Sequence, residues 1–167
     1  MTNLIMVLHK MIGTKDVLAT LLLDIRKKHP FDQIVDLGSG SGGVMPEAVR
    51  FLNDNHPESP VSLLLTDLHP NTEFIAYIND QKADHVHYAP EPLDALQLSE
   101  APKGLKTMVA SFHHMPPEKA RKILKSAQDN GEPLLIYEIA NNNIPLLVWW
   151  LLLPISLVVL FIMCLFM

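Results

Sequence analysis

An α/β domain with a doubly wound, mostly parallel sheet between two helical layers is the fold class this sequence predicts. Three observations carry it. Apolar runs of strand length alternate with amphipathic helical stretches from Thr14 to Ile139. The run Val61–Thr66 is nearly all apolar, as in sheets covered on both sides, and the run Ile34–Leu37, which carries Asp36, opens into a glycine-rich turn. At 167 residues the chain has room for one such domain with a real core.

The elements follow in order. Thr14 to Lys28 predicts an amphipathic helix with Thr14 as N-cap, Val17, Leu18, Leu21, Leu22 and Ile25 on its apolar side, and Arg26, Lys27 and Lys28 in its last turn. His29-Pro30 stops it, and a shorter helix over 3–11 is expected ahead of it. Phe31 to Leu37 is the first strand, followed by the glycine turn and a helix from Val44 to Asn53, where Pro46 suits the first turn. Val61 to Thr66 is the second strand, Pro70 to Gln81 a helix, and Asp84 to Tyr88 the third strand. A loop over Pro90–Leu96 leads to a fourth strand, Lys106–Phe112, then a helix, Pro117–Asn130, and a fifth strand, Pro133–Ile139.

Composition narrows the function. A net charge of −5 with 19% charged residues gives no basic footprint, so nucleic acid is not indicated as a partner. The one cysteine, Cys164, excludes an intramolecular disulfide and fits a reducing compartment. From Ile144 to Met167 there is no Asp, Glu, Lys, Arg or His, and a helix of about 20 residues suffices to cross a bilayer. The sequence therefore divides into a ligand-binding domain over 1–143 and a hydrophobic, membrane-inserted helix over 144–167, with Asn141–Asn143 as hinge. Trp149 and Trp150 suit an interfacial belt, and Pro154 would kink the segment. The domain itself is expected on the cytoplasmic side; oligomeric state is not legible.

Chemistry concentrates in Ile34-Val35-Asp36-Leu37-Gly38-Ser39-Gly40-Ser41-Gly42-Gly43. A buried strand that ends at such a turn lets a flat or anionic ligand approach the backbone and a helix N-terminus. Two templates overlap there. Gly38-x-Gly40-x-x-Gly43 with Asp67 at the end of the next strand matches the dinucleotide fingerprint of NAD(P)-binding oxidoreductases. Asp36-x-Gly38-x-Gly40-x-Gly42 resembles motif I of the class I S-adenosylmethionine-dependent methyltransferases. The second is preferred: the Asp36 charge would repel a pyrophosphate but accommodate a cationic methionine amine, and a substantial helix precedes the motif.

The resemblance continues in Leu63-Leu64-Leu65-Thr66-Asp67-Leu68, in Leu93-Asp94-Ala95, and in Ser111-Phe112-His113-His114-Met115 with the helix after it. It implies a Rossmann-like, three-layer α/β/α fold and S-adenosyl-L-methionine as cofactor, with S-adenosyl-L-homocysteine as product. Carried over by position, it assigns the cofactor to Asp36, Gly38, Ser39, Gly40, Gly42, Asp67, Leu68, Asp94 and Ser111. His113 and His114 become the catalytic candidates, one of them as general base, although packing or a structural hydrogen bond would equally explain them. No metal is expected: His85-x-His87 has a suitable spacing but lacks a third ligand.

The function that follows is methyl transfer to a small or lipid-like acceptor near a membrane. A catalytically silent, membrane-tethered interaction module is the rival from another class. Methyltransferases of this class continue past the fifth strand into a helix and a closing antiparallel hairpin, which this chain lacks. Truncation of a longer protein is preferred to replacement by the hydrophobic tail, because loss of the hairpin leaves the fifth strand as an exposed edge.

Overall fold

The computed structural model describes residues 13–81, 85–138 and 146–165. The helix expected over 3–11 and the hinge at 141–143 lie outside them. Helix α1 spans Thr14–Lys28, β1 Gln33–Leu37, α2 Met45–Asn55, β2 Ser62–Thr66, α3 Thr72–Asp80, and β3 Val86–Tyr88. A 3-10 turn at Leu98–Glu100 precedes β4 (Leu105–Val109), and a second at Phe112–His114 precedes α4 (Pro117–Asn130); β5 (Leu134–Tyr137) and α5 (Leu146–Leu165) follow.

The strands form one sheet in the order β3-β2-β1-β4-β5, every neighbouring pair parallel. The chain winds from β1 outward to β3 and then crosses to β4 on the other side. Between β1 and β4 the winding reverses, and their carboxyl ends border the crevice where an open α/β sheet takes its ligand.

Alternation along β1 explains the two helical layers. Ile34 packs with Leu18, Leu22, Val49, Leu52 and Leu65 under α1 and α2. Val35 and Leu37 point the other way, to Leu98, Met108, Ile123 and Ala127 under α4. Strand β1, second from neither edge, is buried from Ile34 to Leu37, whereas every residue of the edge strand β5 is half-buried. The five-stranded parallel sheet with helices on both faces agrees with the sequence reading, and the sheet is open among the described residues.

Several local expectations are corrected. Gly13, at φ 69°, occupies the N-cap of α1 in place of Thr14. Thr14 is turned inward instead, buried, and its Oγ1 has no partner among the described residues. Helix α3 begins at Thr72 and not at Pro70, because the Asn71 carboxamide oxygen accepts the N–H groups of Glu73 and Phe74. Strand β4 stops at Val109, since Ala110 has φ 52° and cannot extend the ladder. The 3-10 turn that follows contains Phe112, expected in the strand.

The hydrophobic tail is helical from Leu146 to Leu165, with Pro154 inside it. Among the described residues no helix is long and apolar enough to cross a membrane, so the expected span over 144–167 is not met there. All the described side chains of this helix are exposed.

At the amino edge of the sheet, Lys106 is buried and donates through Nζ to Pro102 O (2.6 Å), Gly104 O (3.3 Å) and Glu132 Oε2 (3.0 Å). A depression of about 400 Å³ opens beside it, lined by Phe31, Gln33, Lys103, Gly104 and Glu132. It contains none of the residues singled out by sequence and lies at the edge opposite them.

Candidate active site at the carboxyl edge of the sheet

Asp36 is the buried centre of the site. Its neighbour across the β1–β4 ladder is Thr107, whose hydroxyl donates to Asp36 Oδ1 at 2.6 Å. Ser39, in the glycine turn, donates its hydroxyl to Asp36 Oδ2 at 2.6 Å. Thr66, at the end of β2, donates to the Asp36 carbonyl at 2.8 Å. Burial pushes the Asp36 carboxyl up to about 6, opposed by the hydrogen bonds from Ser39 and Thr107 and reinforced by the charge of Asp67. An ionised carboxylate placed so is poorly solvated and gains from a cationic partner.

Ser39 joins two strand ends. Its N–H donates to Thr66 O at 2.9 Å, and its Oγ accepts the Thr66 N–H at 3.2 Å. The turn needs glycine where the backbone must be left-handed. Gly38 has φ 68° and Gly42 φ 93°; a Cβ would fit beside Ser111 at the first and beside Leu65 and Ile78 at the second, so the backbone angle and not space demands glycine. No side chain caps α2, and Pro46 in its first turn removes one of the N–H groups that would otherwise need a partner.

Asp67 closes the turn from the β2 side. Its Oδ2 accepts the Gly40 N–H and its Oδ1 the His69 N–H, each at 2.9 Å. Each oxygen keeps a second lone pair able to accept a further hydrogen bond. Leu68 beside it is 45% exposed, an apolar side chain at the rim of the crevice. Tyr88, buried at the end of β3, donates its hydroxyl to Gly40 O at 2.8 Å. Burial, with the charges of Asp67 and Asp36, pushes that phenol up to about 12.

The loop after β3 folds back on this edge, its Leu93 N–H donating to Asp67 O at 2.9 Å. Asp94 follows directly, with Oδ1 accepting the Leu96 N–H at 2.9 Å. The carboxylate thus shapes its own loop beside Asp67 and retains its other oxygen. Across the crevice, Ser111 donates to Leu37 O at 3.2 Å and ties β4 to β1. His113 lies beyond it, half-exposed, with Nδ1 2.8 Å from Glu138 Oε2, and the His114 ring is 4.0 Å from the His113 ring. Among the described residues no group of three or more His, Cys, Asp or Glu side chains converges as a metal site.

All the residues singled out by sequence therefore fall at one sheet edge, on both sides of the β1/β4 crevice. Thr107, Thr66, Tyr88 and Glu138 belong to the same site and carried weaker signals. Thr107 is a polar residue inside an apolar strand, which would have marked it; Tyr88 reads from sequence as ordinary core.

Solved structures share this architecture. An O-methyltransferase family protein from Burkholderia thailandensis superposes with a TM-score of 0.57 at 19% identity, over 81% of this chain and 39% of that one. A protein assigned as a sarcosine dimethylglycine methyltransferase from Galdieria sulphuraria gives 0.51 at 22% identity, over 74% and 42%. The DszA carbon methyltransferase gives 0.54 at 17%, over 78% and 36%. The chain thus has the Rossmann-like α/β fold of class I methyltransferases and spans about two fifths of the length of these structures. No protein-family model matches the chain, and no curated protein is significantly similar to it in sequence.

Proposed function

We propose that this chain binds S-adenosyl-L-methionine across the β1/β4 crevice and serves a methyltransferase. The observation that carries the reading is the Asp36 carboxylate, buried beneath a glycine turn and held by Ser39 and Thr107, with Asp67 across the turn. The residues fit the cofactor. Asp36 offers a negative charge to the methionine amine, Asp67 two acceptor oxygens to the ribose, and Leu68 and the Asp94 loop a rim for the adenine. When bound, that cofactor supplies an electrophilic methyl on sulfur. This chain contributes alignment and exclusion of water, the main protein contributions to such a transfer.

The acceptor is a small or lipid-like molecule, and helix α5 attaches the chain to a membrane. Support for the attachment lies in its uncharged sequence and exposed apolar side chains, Trp150, Leu151 and Phe161 among them. An oxidoreductase reading would place a pyrophosphate against Asp36, and a silent module would give the buried carboxylate no cationic partner, only the Ser39 and Thr107 hydroxyls.

Isothermal titration of the full chain in detergent with S-adenosyl-L-methionine and, separately, with NAD tests the assignment. Binding of the sulfonium at micromolar concentration, weakened at least about 10-fold in Asp67→Ala, is expected. Binding of NAD alone would overturn it.

A further inference from the structure

At Gly40 the glycine turn is held by hydrogen bonds and not by packing. Gly40 is left-handed, at φ 54°, and a Cβ there would meet nothing within 4 Å, so no neighbour presses the backbone into place. Its N–H donates to Asp67 Oδ2 at 2.9 Å, at the end of β2, and its carbonyl accepts the Tyr88 hydroxyl at 2.8 Å, at the end of β3. Two neighbouring strands thus fix one exposed residue of the turn on both sides of its Cα.

Tyr88 is itself firmly seated. Its side chain is fully buried in the layer under α1 and α2, with Leu63, Leu65 and Val86. It lies beside Leu65 in the parallel ladder, and α3 clamps its backbone: the Asn79 carboxamide oxygen accepts the Tyr88 N–H at 2.9 Å, and the carboxamide nitrogen donates to Tyr88 O at 3.1 Å. A phenylalanine would fill the same apolar place. The hydroxyl is what the core does not need, and once buried it requires an acceptor. That acceptor is Gly40 O, 48 residues away in sequence.

The bond decides which way a peptide faces. A trans peptide points its N–H opposite its carbonyl. With the Gly40 carbonyl drawn down to Tyr88, the Ser41 N–H of the same peptide is turned away from the core layer, and it has no acceptor among the described residues. A flipped peptide would present a carbonyl oxygen there instead, which repels an anion. Two residues earlier, Ser39 carries the hydroxyl bonded to the Asp36 carboxylate at 2.6 Å. The turn therefore has a negative group suited to an amine and, close by in the chain, an N–H donor suited to an anion. An α-amino acid carries both of those charges on one carbon.

We propose that Tyr88 is a positioning residue for the cofactor, its hydroxyl setting the Gly40–Ser41 peptide so that the Ser41 N–H donates to the carboxylate of the methionine moiety. The inference rests on the methyltransferase reading above and deepens it, by naming what directs the amino-acid end of the cofactor.

The test is calorimetry on the full chain in detergent with two probes. S-Adenosyl-L-homocysteine carries the amine and the carboxylate; 5′-methylthioadenosine is a nucleoside thioether that lacks both. Tyr88→Phe keeps the ring in the core and removes the hydroxyl alone. It is expected to weaken S-adenosyl-L-homocysteine about 10-fold and to leave 5′-methylthioadenosine within about 2-fold. Equal weakening of both probes would mark a turn that is merely loosened and overturns the proposal, as does unchanged affinity for both. Tyr77→Phe, at an exposed tyrosine of α3, is expected to change neither affinity; a loss like that of Tyr88→Phe also counts against it. In the ligand-free chain the Gly40 carbonyl ¹³C signal is expected to move in Tyr88→Phe and to stay in place in Tyr77→Phe, and a signal unmoved in both overturns the proposal without any ligand. A parent chain that binds neither probe refutes the methyltransferase reading and this proposal with it. A parent chain that binds both, with no split between them in Tyr88→Phe, refutes this proposal alone.

Discussion

Asp36 shows how a single residue is set against its own stability. Its carboxyl is raised from 3.8 to about 6 because burial penalises the charge more than the Ser39 and Thr107 hydroxyls compensate. A raised acid binds its proton more tightly in the folded chain than in the unfolded one. Stability from this group is therefore fully present below pH 3.8 and is lost as pH rises to about 6. The loss is on the order of 3 kcal/mol for a shift of this size. Asp36→Asn is expected to remove that slope, leaving urea-unfolding free energies flatter than in the parent between pH 4 and 6.5, while cofactor affinity falls. A slope identical in both chains would show that another group carries it. Gly38→Ala probes the same turn: an alanine forced into the left-handed backbone there should destabilise the chain by about 1–2 kcal/mol.

Elements were legible from sequence to the extent that local chemistry fixes them. Helix α4 matched residue for residue, Pro117 opening it and Gly131, at φ 63°, closing it. The start of α3 was misplaced because Asn71 is the true cap; Asn71→Ala should cost about 1 kcal/mol in thermal unfolding followed by circular dichroism, and Pro70→Ala much less. The end of β4 was misplaced for a different reason. Nothing in the run Val109-Ala110-Ser111 announces a left-handed alanine, which is imposed by the bonds to Tyr137 and Leu37. The partnership of His113 with Glu138 was equally hidden, since it depends on β5 lying next to β4, a fact of sheet order and not of either local sequence.

At the scale of the molecule, sheet order turns scattered motifs into one site. Asp36, Asp67, Asp94 and Ser111 are far apart in sequence, yet a parallel sheet sends every strand's carboxyl end to the same edge. Parallelism was readable from the strand–helix alternation, and with it the edge where these residues meet. Which strands flank the crevice was not, because the order β3-β2-β1-β4-β5 is decided by packing of the helical layers. The hydrophobic tail is a separate matter. If α5 attaches the chain to lipid, the full chain should float with phosphatidylcholine vesicles, and a chain ending at Asn143 should not; a full chain that stays in the aqueous fraction would contradict the attachment.

The central claim concerns where the cofactor sits, and amide chemical-shift mapping reads that directly. Titrating S-adenosyl-L-homocysteine into the ¹⁵N-labelled chain is expected to move the amides of Gly38, Ser39, Gly40, Asp67, Leu68 and Ala95 at the carboxyl edge. Those of Gln33, Gly104 and Gly131, around the depression at the amino edge, are expected to stay in place. Shifts confined to the amino edge, or none at millimolar ligand, would contradict the account.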